Sequence, residues 1–291
     1  MNYGSAVTFS IVARDSTTGE LGAAVAGCVL AIGARAIVVE PGVAAVAVLA
    51  AGGTAEQRLI IDQIAAGVNP EQAVTIVEPG PEVQCGAVGK DGAGSWTGGE
   101  TPAHATGLAE EHYAVQGNLL ALPSVCEAMS ETFLDTTGPL ARRLLAALRA
   151  GQQAGGDVRG QQSAGLVVRS ADGAEVLPLD LRVDDHRDPL RELSRLLDVH
   201  RAHDLLASNA NRLHEDADLA RRLVEAAERI PGDALLTGWA AVGAVTHDFA
   251  EAPILAAAAD LLSPTFPAWC AHQASLGGPL TPAWRSLGAV G

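Results

Sequence analysis

Aromatic side chains are nearly absent: Phe, Trp and Tyr together make up 3% of the 291 residues. Without large rings the core has to be filled by alanine, glycine, valine and leucine. Small side chains suit close packing of helices on sheets rather than aromatic stacking platforms. Lysine is scarcer still. Lys90 is the only one, and at a net charge of −15 the chain lacks the clustered cations on which phosphate binding depends, which argues against nucleic acid as a partner. The four cysteines, Cys28, Cys85, Cys126 and Cys270, lie far apart with no CxxC spacing, so neither a zinc site nor a disulfide framework is indicated. Apolar runs are interrupted well short of a membrane span, and "MNYGSAV" has neither the basic nor the apolar stretch of a secretory signal. These absences predict a soluble, cytoplasmic protein with no membrane or nucleic-acid partner, and the functional readings drawn below imply no metal and no organic cofactor.

Apolar bulk is abundant. Hydrophobic residues make up 48% of the chain, and 291 residues suit one large domain with an appendage. "AVTFSIVAR" and "ELGAAVAG" read as paired strands about the turn "DSTTG", and "RAIVVEPGVAAVAVLA" as a second pair with Pro41-Gly42 at the corner. Apolar on both faces, these strands predict sheets covered on both sides. Helices follow. Thr54 is the expected N-cap of one, with Gln57 three residues on and Leu59, Ile60 and Ile64 along one stripe; Asn69 caps the next, with Pro70 at its first position. "VQCGAVGKDGAGSWTG" and "YAVQGNLLA" return to strand, residues 123–136 and 139–153 to helix, and a hairpin over Asp172-Gly173 closes the region. This order predicts an α+β fold: a four-layer αββα sandwich over residues 1–188, in which two antiparallel sheets face each other beneath outer helix pairs. Past Asp188-Pro189 the pattern turns helical, with Leu190, Leu193, Leu196 and Leu197 on one face. Residues 189–291 are therefore expected to form a helical extension, with a proline-rich tail around Trp269 and Trp284, that packs on the core or builds a homodimer or higher homo-oligomer.

Several polar residues stand out against this background. Thr8 opens the first strand, and Ser10 shares its sheet face. "VQGNLLALP" places Gln116 and Asn118 at the end of an apolar strand, with Gly117 between them permitting close backbone approach. Amide N–H groups there can hold a substrate carbonyl or an oxyanion; the bland reading is a polar turn with Asn118 in a left-handed conformation. "GGDVRGQQSAG" sets Asp157 and Arg159 in a glycine-rich loop, where the guanidinium can clamp a substrate carboxylate or the two side chains can fasten the loop to the sheet. "VDDH" at 183–186 gathers two carboxylates and an imidazole, but directly before a proline-started helix Asp184, Asp185 and Asp188 read as caps. His200 and His203, beside Asp204, lack a third metal ligand, and "AGGT" lacks the lysine and spacing of a phosphate-cradling loop.

Four blocks, "TFSIVARDSTTGELGAAVA", "YAVQGNLLA", "GGDVRGQQSAGLVV" and "LDLRVDDHRDPLRELSRLLDVHR", together resemble the bacterial and archaeal family called domain of unknown function 1028, over roughly the first two-thirds of the chain. The resemblance implies the fold of the N-terminal nucleophile hydrolases, the class of proteasome subunits and several amidases. In that class the first residue of the first strand attacks a carbonyl and its own α-amine takes the proton, because a hydroxyl is a weak nucleophile and a free α-amine titrates near neutrality. Members resembling this chain commonly start Met-Thr-Phe-Ser. Thr8 is the matching residue, but "MNYGSAV" precedes it, so Thr8 gains this role only if the Val7–Thr8 bond is cut; otherwise it is a strand threonine. Ser5 is a weaker candidate. Where the family commonly shows Ser-Lys or Ser-His, this chain has Gly27-Cys28, which removes a basic side chain and makes Cys28 either an alternative nucleophile or a small buried hydrophobe.

Two functional readings stand. The first is an amide-bond hydrolase acting on a small molecule, with Thr8 as nucleophile, Asn118 and Gln116 positioning the carbonyl and Arg159 holding an anionic group. The second is a non-hydrolytic descendant, an isomerase, cyclase, lyase or ligand-binding protein of specialised metabolism. The intact "MNYGSAV" favours the second; Thr8 and the Gln116-Gly117-Asn118 block favour the first.

Overall fold

Strand after strand in this chain is apolar at odd and even positions alike, and only a sheet covered on both sides can bury such strands. The computed structural model describes residues 8–102 and 104–289; Ser5 and Val7 lie outside them. β1 (Thr8–Arg14) and β2 (Leu21–Gly27) form the expected antiparallel pair, with Arg14 opposite Leu21. Asp15 holds their turn, its Oδ1 accepting the N–H groups of Thr17 and Thr18 at 2.9 Å each. β3 (Ile37–Glu40), β4 (Ala44–Ala50), β5 (Val83–Gly89) and β6 (Gly92–Thr97) make a four-stranded sheet in the order β3-β4-β5-β6. β7 (Thr106–Glu110), β8 (Tyr113–Gly117), β9 (Ser163–Arg169) and β10 (Leu179–Val183) join the first pair in a six-stranded sheet, β10-β9-β2-β1-β8-β7. Both sheets are antiparallel throughout, and with ten α-helices among the described residues the fold mixes α and β in keeping with the α+β class.

Alternation along the strands sorts the core into layers. Phe9, Ile11 and Ala13 of β1 point to one side, where they pack with Met129 and Phe133 of α3 (Ser124–Asp135) and Leu144 and Leu148 of α4 (Leu140–Gln153). Each of these side chains except Ala13, fully buried, contributes roughly 1.5–3 kcal/mol. Gly151 lets α4 lie this close: a Cβ there would stand 2.7 Å from Met129 Cγ. Val12, Leu21 and Val25 point the other way, against Ile37, Ala45, Ala47 and Leu49 of the four-stranded sheet. That sheet's far side, Val46, Val48 and Cys85, is covered by Ile60 and Ile61 of α1 (Thr54–Ala65) and Val74 of α2 (Pro70–Ile76).

Four local expectations are corrected. Gly53, not Thr54, is the N-cap of α1, and Glu56 reaches back to accept its N–H at 2.9 Å. Leu59 is half exposed while Ile61 is buried, so the stripe runs one residue later than the leucine suggested. β7 lies in a stretch that the hydrophobic pattern left unassigned. The proline-rich tail is helical, with Pro267 and Pro282 in the first turns of α9 (Phe266–Leu276) and α10 (Thr281–Gly288), where a missing N–H costs nothing.

The chain divides into two compact units, the first ending at Leu197 and the second starting at Asp198, a boundary inside helix α5 (Pro189–Asn209). The second unit, with α6 (Ala217–Arg229), α7 (Ala234–Thr246) and α8 (Ala252–Leu262), has its own core around Leu213, Leu223, Leu236 and Val242. Trp239, Trp269 and Trp284 meet edge to face there, at 4.8, 5.2 and 6.1 Å between centroids. No single helix among the described residues is long and apolar enough to cross a membrane.

Candidate active site

The layer between the two sheets changes character along its length. At one end it is the apolar cluster around Val12, Val25 and Leu49. At the other, the same strand faces carry Thr8, Ser10, Gln84 and Gln116, joined by Asn118 just past β8, and all five are fully buried. Register explains the convergence. Thr8 lies opposite Gly27, Phe9 opposite Gly117, Ser10 opposite Gln116 and Gly27 opposite Ser163, so the start of β1, the ends of β2 and β8 and the start of β9 meet at one edge.

Amides and hydroxyls from both sheets bond across this end. Gln116 Nε2 donates to Ser10 Oγ at 2.5 Å. Opposite it stands Gly86, where a Cβ would fall 2.0 Å from Gln116 Oε1, so glycine alone leaves room for that amide between the sheets. Gln84 Nε2 donates to Thr97 Oγ1 at 3.0 Å and to the carbonyls of Thr106 and Gly117 at 3.1 Å each, while its Oε1 accepts from Asn118 Nδ2 at 3.0 Å. The backbone N–H of Asn118 donates to the Thr8 carbonyl at 3.1 Å. The left-handed residue here is Leu119, φ 44°, not Asn118. A leucine held in that region stores of order 1 kcal/mol of strain, and the fold retains it directly after the site's asparagine.

Three atoms at this end are buried without a hydrogen-bond partner among the described residues: Thr8 Oγ1, Gln116 Oε1 and Asn118 Oδ1. Leaving such an atom unpaired costs about 1–3 kcal/mol, and native cores carry few of them. Three of them converge at this one end of the layer, on residues that the register brings together.

Cys28, one residue past the partner of Thr8, donates its N–H to Asp157 Oδ2 at 3.1 Å and its thiol to the Arg159 carbonyl at 3.4 Å. Asp157 also accepts the Arg159 N–H at 2.8 Å, Nε at 3.2 Å and Nη2 at 3.1 Å, so carboxylate and guanidinium form a two-pronged pair. The pair pins its loop to the end of β2, with the Asp157 side chain buried and the Arg159 side chain 38% exposed. Ser163 completes the edge, accepting the Ile32 N–H at 3.0 Å and donating to the Val29 carbonyl. Burial pushes the thiols of Cys85 and Cys126 up to about 12 and that of Cys270 up to about 11. Cys28 is the half-buried one of the four.

The remaining candidates sit elsewhere. Asp188 caps α5 through the Arg191 N–H at 3.2 Å, and Asp185 accepts from Gln162 at 3.0 Å. His203 pairs with Asp233, the N-cap of α7, at 2.6 Å. Among the described residues no group of three or more His, Cys, Asp or Glu side chains could hold a metal ion. The N–H of Gly53, in the "AGGT" stretch, is already taken by Glu56. A cavity of about 490 Å³ opens between edge strands β6 and β7. Ser95 and Gly107 on its wall are the register partners of Gly86 and Gln116, which puts it beside the polar end but lined by neither Thr8 nor Asn118. Sequence reasoning missed Gln84, although a single glutamine in the otherwise apolar "VQCGAVG" was a usable signal.

Comparison with known proteins places this arrangement in context. Residues 8–193 match the family described as family of unknown function DUF1028. A crystal structure of a DUF1028 protein from Silicibacter pomeroyi is similar at 29% sequence identity and a TM-score of 0.61, over 67% of this chain and 86% of that one. No curated protein matches.

Proposed function

This chain belongs to the DUF1028 family, and we propose that its first unit is an amide-bond hydrolase of the N-terminal nucleophile type, built on that class's αββα sandwich and acting on a small-molecule amide. The observation that carries the reading is the Thr8 hydroxyl: buried, unpartnered, on the first residue of β1 and facing the polar end of the layer between the sheets. With Val7 attached, the Thr8 nitrogen is a peptide N–H and cannot itself act as a base. Cleavage of the Val7–Thr8 bond supplies one, an α-amine titrating near 7.7–8.0. That amine takes the Oγ1 proton as Oγ1 attacks the amide carbonyl. The ammonium returns the proton to the leaving nitrogen as the C–N bond breaks, which leaves an ester on Thr8. Water, deprotonated by the same amine, then attacks the ester carbonyl, and the acid leaves as the C–Oγ1 bond breaks and the ammonium returns the proton to Oγ1. Bonds to β2 and β8 on both sides hold the strand tip still during these steps. Gln116 and Asn118 position the amide, and Arg159, oriented by Asp157, meets an anionic portion of the substrate. Exposed Ile254 and Leu261 on α8 support a homodimer or higher homo-oligomer.

Full burial of Thr8 in the uncut chain favours the second reading, a non-hydrolytic or ligand-binding descendant. Intact-mass measurement separates the two. A purified, active protein lacking residues 1–7, inactivated by Thr8→Ala but not by Cys28→Ala, fits the hydrolase. A full-length chain that turns over substrate sinks it.

A further inference from the structure

The direction of every hydrogen bond around Gln84 is dictated by its neighbours. Two of the three acceptors on its Nε2 are backbone carbonyls, those of Thr106 and Gly117, which can only accept. The nitrogen end of the amide must therefore face them; a flipped amide would set oxygen against oxygen twice. Gln84 Oε1 is then an obligate acceptor, and the Asn118 atom 3.0 Å from it must be the donor nitrogen. That leaves Asn118 Oδ1 fixed as an acceptor, buried and without a partner, on the residue whose own N–H grips the Thr8 carbonyl. Only a group that brings its own hydrogen can satisfy it.

We infer that Asn118 reads an N–H rather than a carbonyl, and that the substrate of the proposed hydrolase is a primary or secondary amide whose nitrogen donates to Asn118 Oδ1. Gln84 is the positioning residue that sets this polarity. Tertiary amides and esters lack the hydrogen and leave the acceptor unpaired. The inference rests on the hydrolase reading for its substrate, but the hydrogen-bond logic stands apart from it.

The probes are 4-nitroacetanilide, its N-methyl derivative and 4-nitrophenyl acetate, given to protein whose mass shows Thr8 at the N-terminus. The expected result is a preference of at least about tenfold in kcat/KM for the N–H anilide over the N-methyl anilide. Discrimination should fall towards unity in Asn118→Ala, and also in Gln84→Met, where Asn118 is free to turn. Loss of stability alone lowers both rates and leaves their ratio unchanged, and the wild-type comparison needs no variant at all. Equal rates on the two anilides overturn the inference and leave the hydrolase standing. If no probe is hydrolysed the hydrolase reading fails, and side-chain amide NMR decides the polarity separately. Acetamide should then shift the Asn118 resonances and N,N-dimethylacetamide should not; equal effects refute it.

Discussion

Val12 and Ser10 are successive residues on one face of β1, yet they stand in different environments. Val12 is closed in by Val25, Ala47 and Leu49, with no polar atom to satisfy. Ser10, and beyond it Thr8, faces amides from β5 and β8, and three atoms there have no partner. Packing and function have been allotted to opposite ends of the same interface. The apolar end fixes the register, and the register carries Thr8, Gln84, Gln116 and Asn118 to one place although the sequence scatters them from 8 to 118.

Swapping the consequences at the two ends breaks that comparison if it is wrong. Thr8→Ala should lower kcat/KM at least about a thousandfold while changing the urea midpoint little, because the hydroxyl it removes bonds to none of the described residues. Val12→Ala should do the reverse, costing about 1–3 kcal/mol of stability and leaving the kinetics of the folded fraction intact. A Thr8→Ala chain that unfolds as easily as Val12→Ala would make the hydroxyl structural.

Gly86→Ala probes the boundary between the ends. Its Cβ would sit 2.0 Å from Gln116 Oε1, so the amide must leave Ser10 or the sheets must part. A loss of about 1–3 kcal/mol in denaturant unfolding is expected. An unchanged midpoint would mean that Gln116 does not cross the layer there.

Much of this architecture was legible and some was not, for identifiable reasons. The β1–β2 hairpin and the Asn69 cap, whose Oδ1 accepts the Gln72 N–H at 2.8 Å, are local patterns, and local chemistry decided them. The cap at Gly53 escaped because it is made by backbone and by Glu56, leaving no side chain of its own to recognise. β7 escaped because an edge strand with mostly exposed residues has no apolar periodicity. Thr8, Cys28, Asn118 and Asp157 could be named singly, but their meeting depends on the pairing of four strands. Gln84 could not be joined to Asn118, 34 positions away and across two sheets, without the register itself.

Thiol chemistry sharpens the contrast at smaller scale. Cys85, within the layer between the four-stranded sheet and its helices, and Cys126, among the helices of the other side, have thiols held near 12 by burial. Cys28 at the edge is half exposed. In native protein at pH 8 a maleimide should modify one thiol rapidly, mapped by peptide mass to Cys28, and reach the others only on unfolding. Rapid labelling of Cys85 would show the layer between the four-stranded sheet and its helices to be open.

The smallest effect is an acidic one. The polar end is built chiefly from neutral amides and hydroxyls, so acid should act on the fold elsewhere, for example at the β9–β10 hairpin. Glu175 there is pulled two ways: burial pushes its carboxyl up, but the Arg169 guanidinium and the Ser170 N–H outweigh burial and hold it down to about 2. A depressed folded-state value means that the stabilisation is whole above the unfolded value of about 4.3 and drains away as the pH falls from there towards 2. Glu175→Gln should therefore flatten that acid limb of the stability curve. The kinetic limb, set by the proposed Thr8 amine, should stay near pH 7.7–8.0 in both proteins. An acid limb that Glu175→Gln leaves untouched would remove this pair from the account, and a kinetic limb that moved with it would join two regions that the register keeps apart.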